Sequence, residues 1–150
     1  MTIHELLSTL KANLSQTDIT LYPGASEQLI QQFEQEMSLT LPADFKTFYS
    51  FCDGFESAKD LFRIIPLEEV LERKQEFEPQ QFYVAEYLTY CDIWEVELTA
   101  QSSGYRIHHM NVNLTDSLAV FIDRFLRDGV YTKNGGLLDW PDEVQGRKSS

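Results

Sequence analysis

No run of about eighteen apolar residues occurs in the 150-residue chain, so no segment reads as a membrane-spanning helix. Cysteine is scarce. Cys52 and Cys91 are too few for a disulfide framework and read as reduced thiols in a reducing compartment. Seven Gly and five Pro exclude a linker-rich or fibrous protein. The opening Met1-Thr2-Ile3-His4-Glu5 has neither a basic start nor an apolar run, so no secretory signal is expected and the chain reads as cytoplasmic. Basic residues are few: 12 Lys and Arg stand against 24 Asp and Glu, a net charge of −12. The imbalance is local. Residues 12–105 hold seventeen acids and five bases, which already leaves −12, while 106–150 hold six of each and 1–11 one of each. Such a field repels nucleic acid and anionic lipid and draws cationic partners in faster. Neither nucleic acid nor a membrane is therefore an expected partner, although acidity also serves plain solubility.

The motifs of catalysis are missing too. There is no glycine-rich phosphate loop, and Ser102-Ser103-Gly104 lacks the flanking glycine of a nucleophile elbow. No cysteine pair has the close spacing of a zinc site. His108 and His109 are neighbours in a predicted strand, so their side chains leave on opposite faces and do not easily grip one ion. A Cys–His nucleophile from Cys91 and His108 or His109 requires a contact that the sequence does not supply. The sequence predicts no catalytic residue, no metal site and no cofactor.

What is present is a core. Hydrophobic residues make up 43% and aromatic residues 13%, and a chain of this length buries roughly 70% of its unfolded surface. Thr2 and Glu5 form a capping box ahead of Ile3, Leu6, Leu7, Leu10 and Leu14 on one helical face. Pro23-Gly24 marks a turn, and Ser26 caps a second helix whose stripe is Leu29, Ile30, Phe33 and Met37. A third helix opens at Leu41-Pro42, with proline in the first helical position, and carries Phe45, Phe48, Tyr49 and Cys52 on one face. Gly54 lies where a terminator belongs.

The period then changes. Residues 61–65 are short, apolar and β-prone, and Pro66 leads into a brief helix from Leu67 to Lys74. Phe82 to Tyr90, Ile93 to Thr99 and Tyr105 to Met110 read as strands, with a turn at Ser102-Ser103-Gly104. Trp94, Val96 and Leu98 alternate with Glu95 and Glu97, so one face is buried and one is wet; Trp94 reads as core. A strong helix from Asp116 or Ser117 to Asp128 closes the domain, stopped by Gly129, and 141–150 reads as a frayed tail. Helices, an antiparallel meander and a closing helix indicate one α+β domain over 1–150, with a sheet of about four to six strands.

One stretch carries a resemblance. Gly24-Ala25-Ser26-Glu27, Leu29-Ile30, Phe33-Glu34, the run Leu41-Pro42-Ala43-Asp44-Phe45-Lys46-Thr47-Phe48, and Asp53-Gly54 resemble the opening of the SUKH superfamily. That group includes Smi/Knr regulators of fungal cell-wall assembly and many bacterial toxin-immunity proteins. Phe62 to Pro66, Tyr83-Val84-Ala85-Glu86-Tyr87, Cys91-Asp92-Ile93-Trp94 and the helix from Ser117 to Gly129 agree with it, so the similarity covers roughly 22–130. Asp53-Gly54 departs from the commoner Asn-Gly with a further glycine. The resemblance implies a SUKH (Smi/Knr-like) α+β fold and a binding role without catalysis.

Two functional classes follow. In one, the chain is a bacterial immunity protein that neutralises a cognate toxin, plausibly a basic nuclease domain. In the other, it is a regulatory adaptor or peptide-binding module with no toxin partner. If the acidic region makes the interface, Glu86, Asp92, Glu95 and Glu97 on the strands form one candidate patch, and Asp53, Glu56 and Asp60 after the aromatic helix form a second. Ordinary solvated surface accounts for any single one of them better than an interface does.

Overall fold

A computed structural model describes residues 1–99, 104–133 and 135–146. Helix α1 spans Ile3–Asn13 and begins where the Glu5 N–H donates to Thr2 Oγ1 at 3.1 Å. Helix α2, Glu27–Met37, is capped in the same way by Ser26 Oγ, which accepts the Leu29 N–H at 3.0 Å. Helix α3, Ala43–Phe51, starts one residue later than its proline suggested, because Pro42 serves as the N-cap itself. Cys52 follows in extended backbone with its thiol buried, and burial pushes that thiol up to about 12. It is a core residue.

Among the described residues seven strands form one sheet in chain order, each antiparallel to the next: β1 Ile19–Leu21, β2 Phe55–Ser57, β3 Phe62–Ile64, β4 Gln81–Tyr87, β5 Asp92–Leu98, β6 Tyr105–His109 and β7 Val112–Thr115. The sheet therefore exceeds the four to six strands expected. The additions, β1, β2 and β7, are only three or four residues long, too short to establish an alternation in sequence. They exist because neighbours supply ladders, as where Ile19 pairs Ser57 across two intervening helices. Helix α4, Leu67–Glu72, connects β3 to β4. Helix α5, Leu118–Asp128, is capped by Ser117 Oγ on the Val120 N–H at 3.1 Å and stopped by Gly129.

The turn expected at 102–104 falls largely outside the described residues. The tail differs from expectation. Helix α6, Trp140–Val144, carries the fold beyond residue 141. Trp140 stacks on Phe121 at 6.3 Å, and the Arg124 guanidinium holds Glu143 together with the Gly135 and Gly136 carbonyls. An aromatic anchor and a half-buried cation order a segment whose local propensity is weak. Residues 147–150 lie outside the described residues.

The core lies between the sheet and a helical layer. Phe33 of α2 and Phe45 of α3 meet Phe82 edge-on at 5.5 and 5.7 Å. Phe121 and Phe125 of α5 reach Trp94 and Phe62 at 6.1 and 4.1 Å. Helix α1 packs on α3 and α5 from outside. Two polar handles lock the layers: Tyr49 OH donates to the Ile65 carbonyl, and Tyr105 OH donates to Asp44 while accepting the Leu118 N–H at 2.6 Å. Gly54 is required where it stands, at φ +89, because a Cβ would lie 2.2 Å from the Ile64 carbonyl oxygen.

Phe62 is fully buried and its ring neighbours Phe55, Trp94, Phe121 and Phe125. Phe62→Ala should cost about 3–5 kcal/mol in urea unfolding followed by tryptophan fluorescence.

Candidate functional site

Helices α2, α3 and α5 cover one face of the sheet; on the other, Glu69 of α4 and residues 73–77 lie over β3 and β4, and the rest carries no helix among the described residues. Pleating decides which side chains reach this more open face. Register places Thr20, Glu56, Arg63, Glu86 and Ile93 in one transverse row. Tyr83, Glu95, His108 and Asn113 form a second, and Gln81, Glu97 and Arg106 a third. A bulge sets the phase. Tyr83 opposes Glu95 while Ala85 opposes Trp94, so Val84 is an extra residue. Strict alternation from Phe82 and Val84 would aim Glu86 into the core. The bulge buries both Val84 and Ala85 and turns Glu86 to the Arg63 side.

Glu86 is not the solvated strand carboxylate that the sequence suggested. It is 3% exposed; one oxygen accepts Arg63 Nε at 3.0 Å and the other accepts the Tyr90 N–H at 2.6 Å. Arg63 also grips Glu69 through two N–H groups, and this holds the Glu69 carboxyl below its ordinary range. Tyr90 OH donates to Glu69, and the Arg73 guanidinium lies 3.6 Å over the Tyr90 ring. The cluster brackets an unusual turn. Leu88, Thr89 and Tyr90 are all left-handed, at φ 54, 53 and 65. Such backbone costs roughly 1–2 kcal/mol per residue without glycine. The buried Glu86 carboxylate, tied to the Tyr90 N–H, is what holds it.

The same turn displays apolar surface. The Leu88 N–H donates to the Leu61 carbonyl at 2.9 Å, so two hairpin tips stand side by side. Both leucines project, Leu61 at 53% and Leu88 at 41% exposure. A cleft of about 190 Å³ runs between them, with Glu56, Arg63 and Thr89 in its wall.

The other predicted residues part company. Glu56, Glu95 and Glu97 share the open face. Tyr22 OH donates to Glu56 at 3.3 Å, and Gln81 Nε2 donates to Glu97 at 3.0 Å. Glu95 has no hydrogen-bond donor among the described residues, and burial raises its carboxyl despite the neighbouring His108. Asp92 lies on the opposite face, paired at 2.8 Å with the buried His109 that stacks on Trp94. Asp53 is half-buried and accepts the Leu67 N–H at 2.9 Å, so it caps α4 and joins no surface patch. Asp60 sits in the β2–β3 turn near Gly129, away from Glu95 and Glu97.

His108 emerges on the open face and His109 in the core, the separation expected of strand neighbours. Among the described residues no three His, Cys, Asp or Glu side chains converge on a position that could hold a metal. No described helix is long and apolar enough to cross a membrane. Sequence reasoning missed Arg63, Tyr83, Tyr90, Ile93 and Met110. For Arg63 a signal existed, a lone cation inside an apolar strand of an acidic segment. For Tyr90 none did, because its role depends on backbone in a region that tyrosine rarely visits.

Glu86→Ala should destabilise the fold by about 1–3 kcal/mol and speed amide exchange at Tyr90, since Arg63 keeps Glu69 while the turn loses its acceptor. The acidic groups differ in sign. Glu69, with its folded value lowered, stabilises fully above its unfolded value of about 4.3 and less as pH falls through the folded one. Glu69→Gln should therefore flatten the acid loss of stability. Glu95, with its folded value raised, loses its contribution as pH rises through that value. Glu95→Gln should be as stable as the parent at neutral pH or slightly more so, by under about 1 kcal/mol in urea unfolding.

A family model described as SMI1 / KNR4 family (SUKH-1) matches residues 24–107, from the turn before α2 into β6. A search of curated proteins finds no match. The matched span exceeds half of the chain and contains α2, α3 and the Leu-Pro turn between them, together with the aromatic residues that seat α3 on the sheet. On that match, and on the α+β architecture that accompanies it, the chain belongs to the SMI1/KNR4 family (SUKH-1).

Proposed function

We propose that this chain is a non-catalytic protein-binding domain acting as a bacterial immunity protein, which neutralises a cognate toxin through the open face of its sheet. The partner that fits is a basic domain, such as a nuclease whose phosphate-binding groups would meet carboxylates instead. The observation that carries this reading is the uncovered face itself. Helices bury one side of a seven-stranded sheet, and the other presents Glu56, Glu95 and Glu97 beside half-exposed Tyr83 and Ile93. Acids set among aromatic and aliphatic groups combine steering with area for desolvated contact. Family membership supports a binding domain of the Smi/Knr type. The excess of acid within 12–105 supports a cationic partner.

The test takes the protein encoded by the gene neighbouring this chain's own as the toxin candidate. Purified together, the two should associate at a rate that falls by about tenfold or more from low to high salt. Glu95→Lys with Glu97→Lys should slow association far more than it alters urea unfolding. Binding that ignores both salt and the charge reversal would remove the acidic face from the interface. A toxin left fully active in the presence of this chain would remove the immunity role.

A further inference from the structure

Of the carboxylates placed on or beside the open face, most already have a donor. Glu56 has Tyr22, Glu69 and Glu86 have Arg63, Glu76 has Arg73 and Tyr83, and Glu97 has Gln81. Glu95 is the exception among the described residues. Burial also disfavours its charge. It lies in a cleft of about 230 Å³ walled by Tyr83, Ile93, His108, Met110 and Asn111. The walls are of two kinds. Tyr83 is held rigidly, its ring edge-on to Phe77 at 4.6 Å and its hydroxyl donating to Glu76 at 3.2 Å. Met110 is 79% exposed at the tip of a two-residue turn in which both Met110 and Asn111 are left-handed. A thioether on a flexible stem adapts to what it covers.

A carboxylate with no donor among the described residues, lining a cleft with an aromatic wall on one side and an exposed apolar lip on the other, is open to a specific group. That group carries two parallel N–H donors, a positive charge and an apolar stem long enough to pass Met110 and Ile93. We propose that the Glu95 cleft is an arginine subsite: one arginine side chain of the partner lays its guanidinium against Glu95, with its stem along Ile93 and its planar face toward Tyr83. The proposal rests on the protein-binding reading above and names the anchor of that interface. Arginine suits the cleft better than lysine because its planar fork meets a carboxylate in two bonds and stacks on aromatic rings, whereas an ammonium is a compact, strongly hydrated charge. The desolvation that burdens Glu95 in the free protein then favours the bound state, where a donor replaces the lost water. Neighbouring Glu97 adds to the field, while His108 on β6 stands beside Glu95 as the competing positive group when protonated.

The experiment uses the ¹⁵N-labelled chain and three probes: N-acetyl-arginine amide, N-acetyl-lysine amide and N-acetyl-citrulline amide, the last keeping the arginine shape without its charge. Arginine should produce saturable amide shifts concentrated at Ile93, Glu95, His108 and Met110. Lysine should bind more weakly and citrulline should leave these signals in place. Glu95→Gln should weaken arginine binding by about tenfold, as the loss of a charge-assisted bond implies. Glu97→Gln should leave it nearly unchanged. Shifts spread over every acidic surface, no saturable shift, equal binding of citrulline or lysine, or an unaltered Glu95→Gln response would each overturn the subsite. The two ideas fail separately. A toxin bound equally well by Glu95→Gln sinks the subsite alone, and a toxin that ignores the wild-type chain sinks the immunity role whatever the arginine titration shows.

Discussion

Phe62 stands where Phe55, Trp94, Phe121 and Phe125 meet, and this aromatic seam joins the sheet to the helical layer on one side only. The rest of the structure depends on that one-sidedness. An antiparallel sheet with a single covered face sends alternate side chains to opposite fates. Trp94 and Val96 vanish into the core, while Glu95 and Glu97, one residue along, are left at the surface. The strands carry only five of the 24 acidic residues, Glu56, Glu86, Asp92, Glu95 and Glu97, and all but Asp92 lie on the side away from the core. The charge on that face is thus a by-product of the way the core is filled.

Charge on that face is managed unevenly. Around Arg63 the carboxylates of Glu69 and Glu86 are compensated and tied to hydrogen-bond donors, and they hold a left-handed turn that few non-glycine sequences would adopt unaided. That cluster is architecture. It shapes the edge where Leu61 and Leu88 project. Glu95 is treated in the opposite way, partly withdrawn from water and given no donor among the described residues. A group left in such a state weakens the free fold slightly at neutral pH.

The same contrast explains which candidate residues survive as surface. Glu56, Glu95 and Glu97 obey simple alternation and are found where alternation puts them. Glu86 obeys it only after the Val84 bulge, and Asp92 falls on the other face because it opens β5 two residues before Trp94. Asp53 and Asp60 are near neighbours of Glu56 in sequence, yet one caps α4 and the other sits in a turn. Proximity along a chain says little about proximity on a sheet.

Local chemistry in the sequence by itself determined the helices: Thr2, Ser26 and Ser117 cap α1, α2 and α5, apolar stripes set their inner faces, and Gly129 ends the last. It also determined β5, whose alternation is legible without any partner, and the first part of β4, up to the Val84 bulge. These signals are carried by residues within a turn or two of each other. Tertiary structure alone decided the short strands β1, β2 and β7, the ordering of 140–144 by Trp140 and Arg124, the burial of Glu86 and the want of a donor for Glu95 among the described residues. Each depends on groups brought together from distant parts of the chain, and no local pattern encodes a neighbour that only folding supplies.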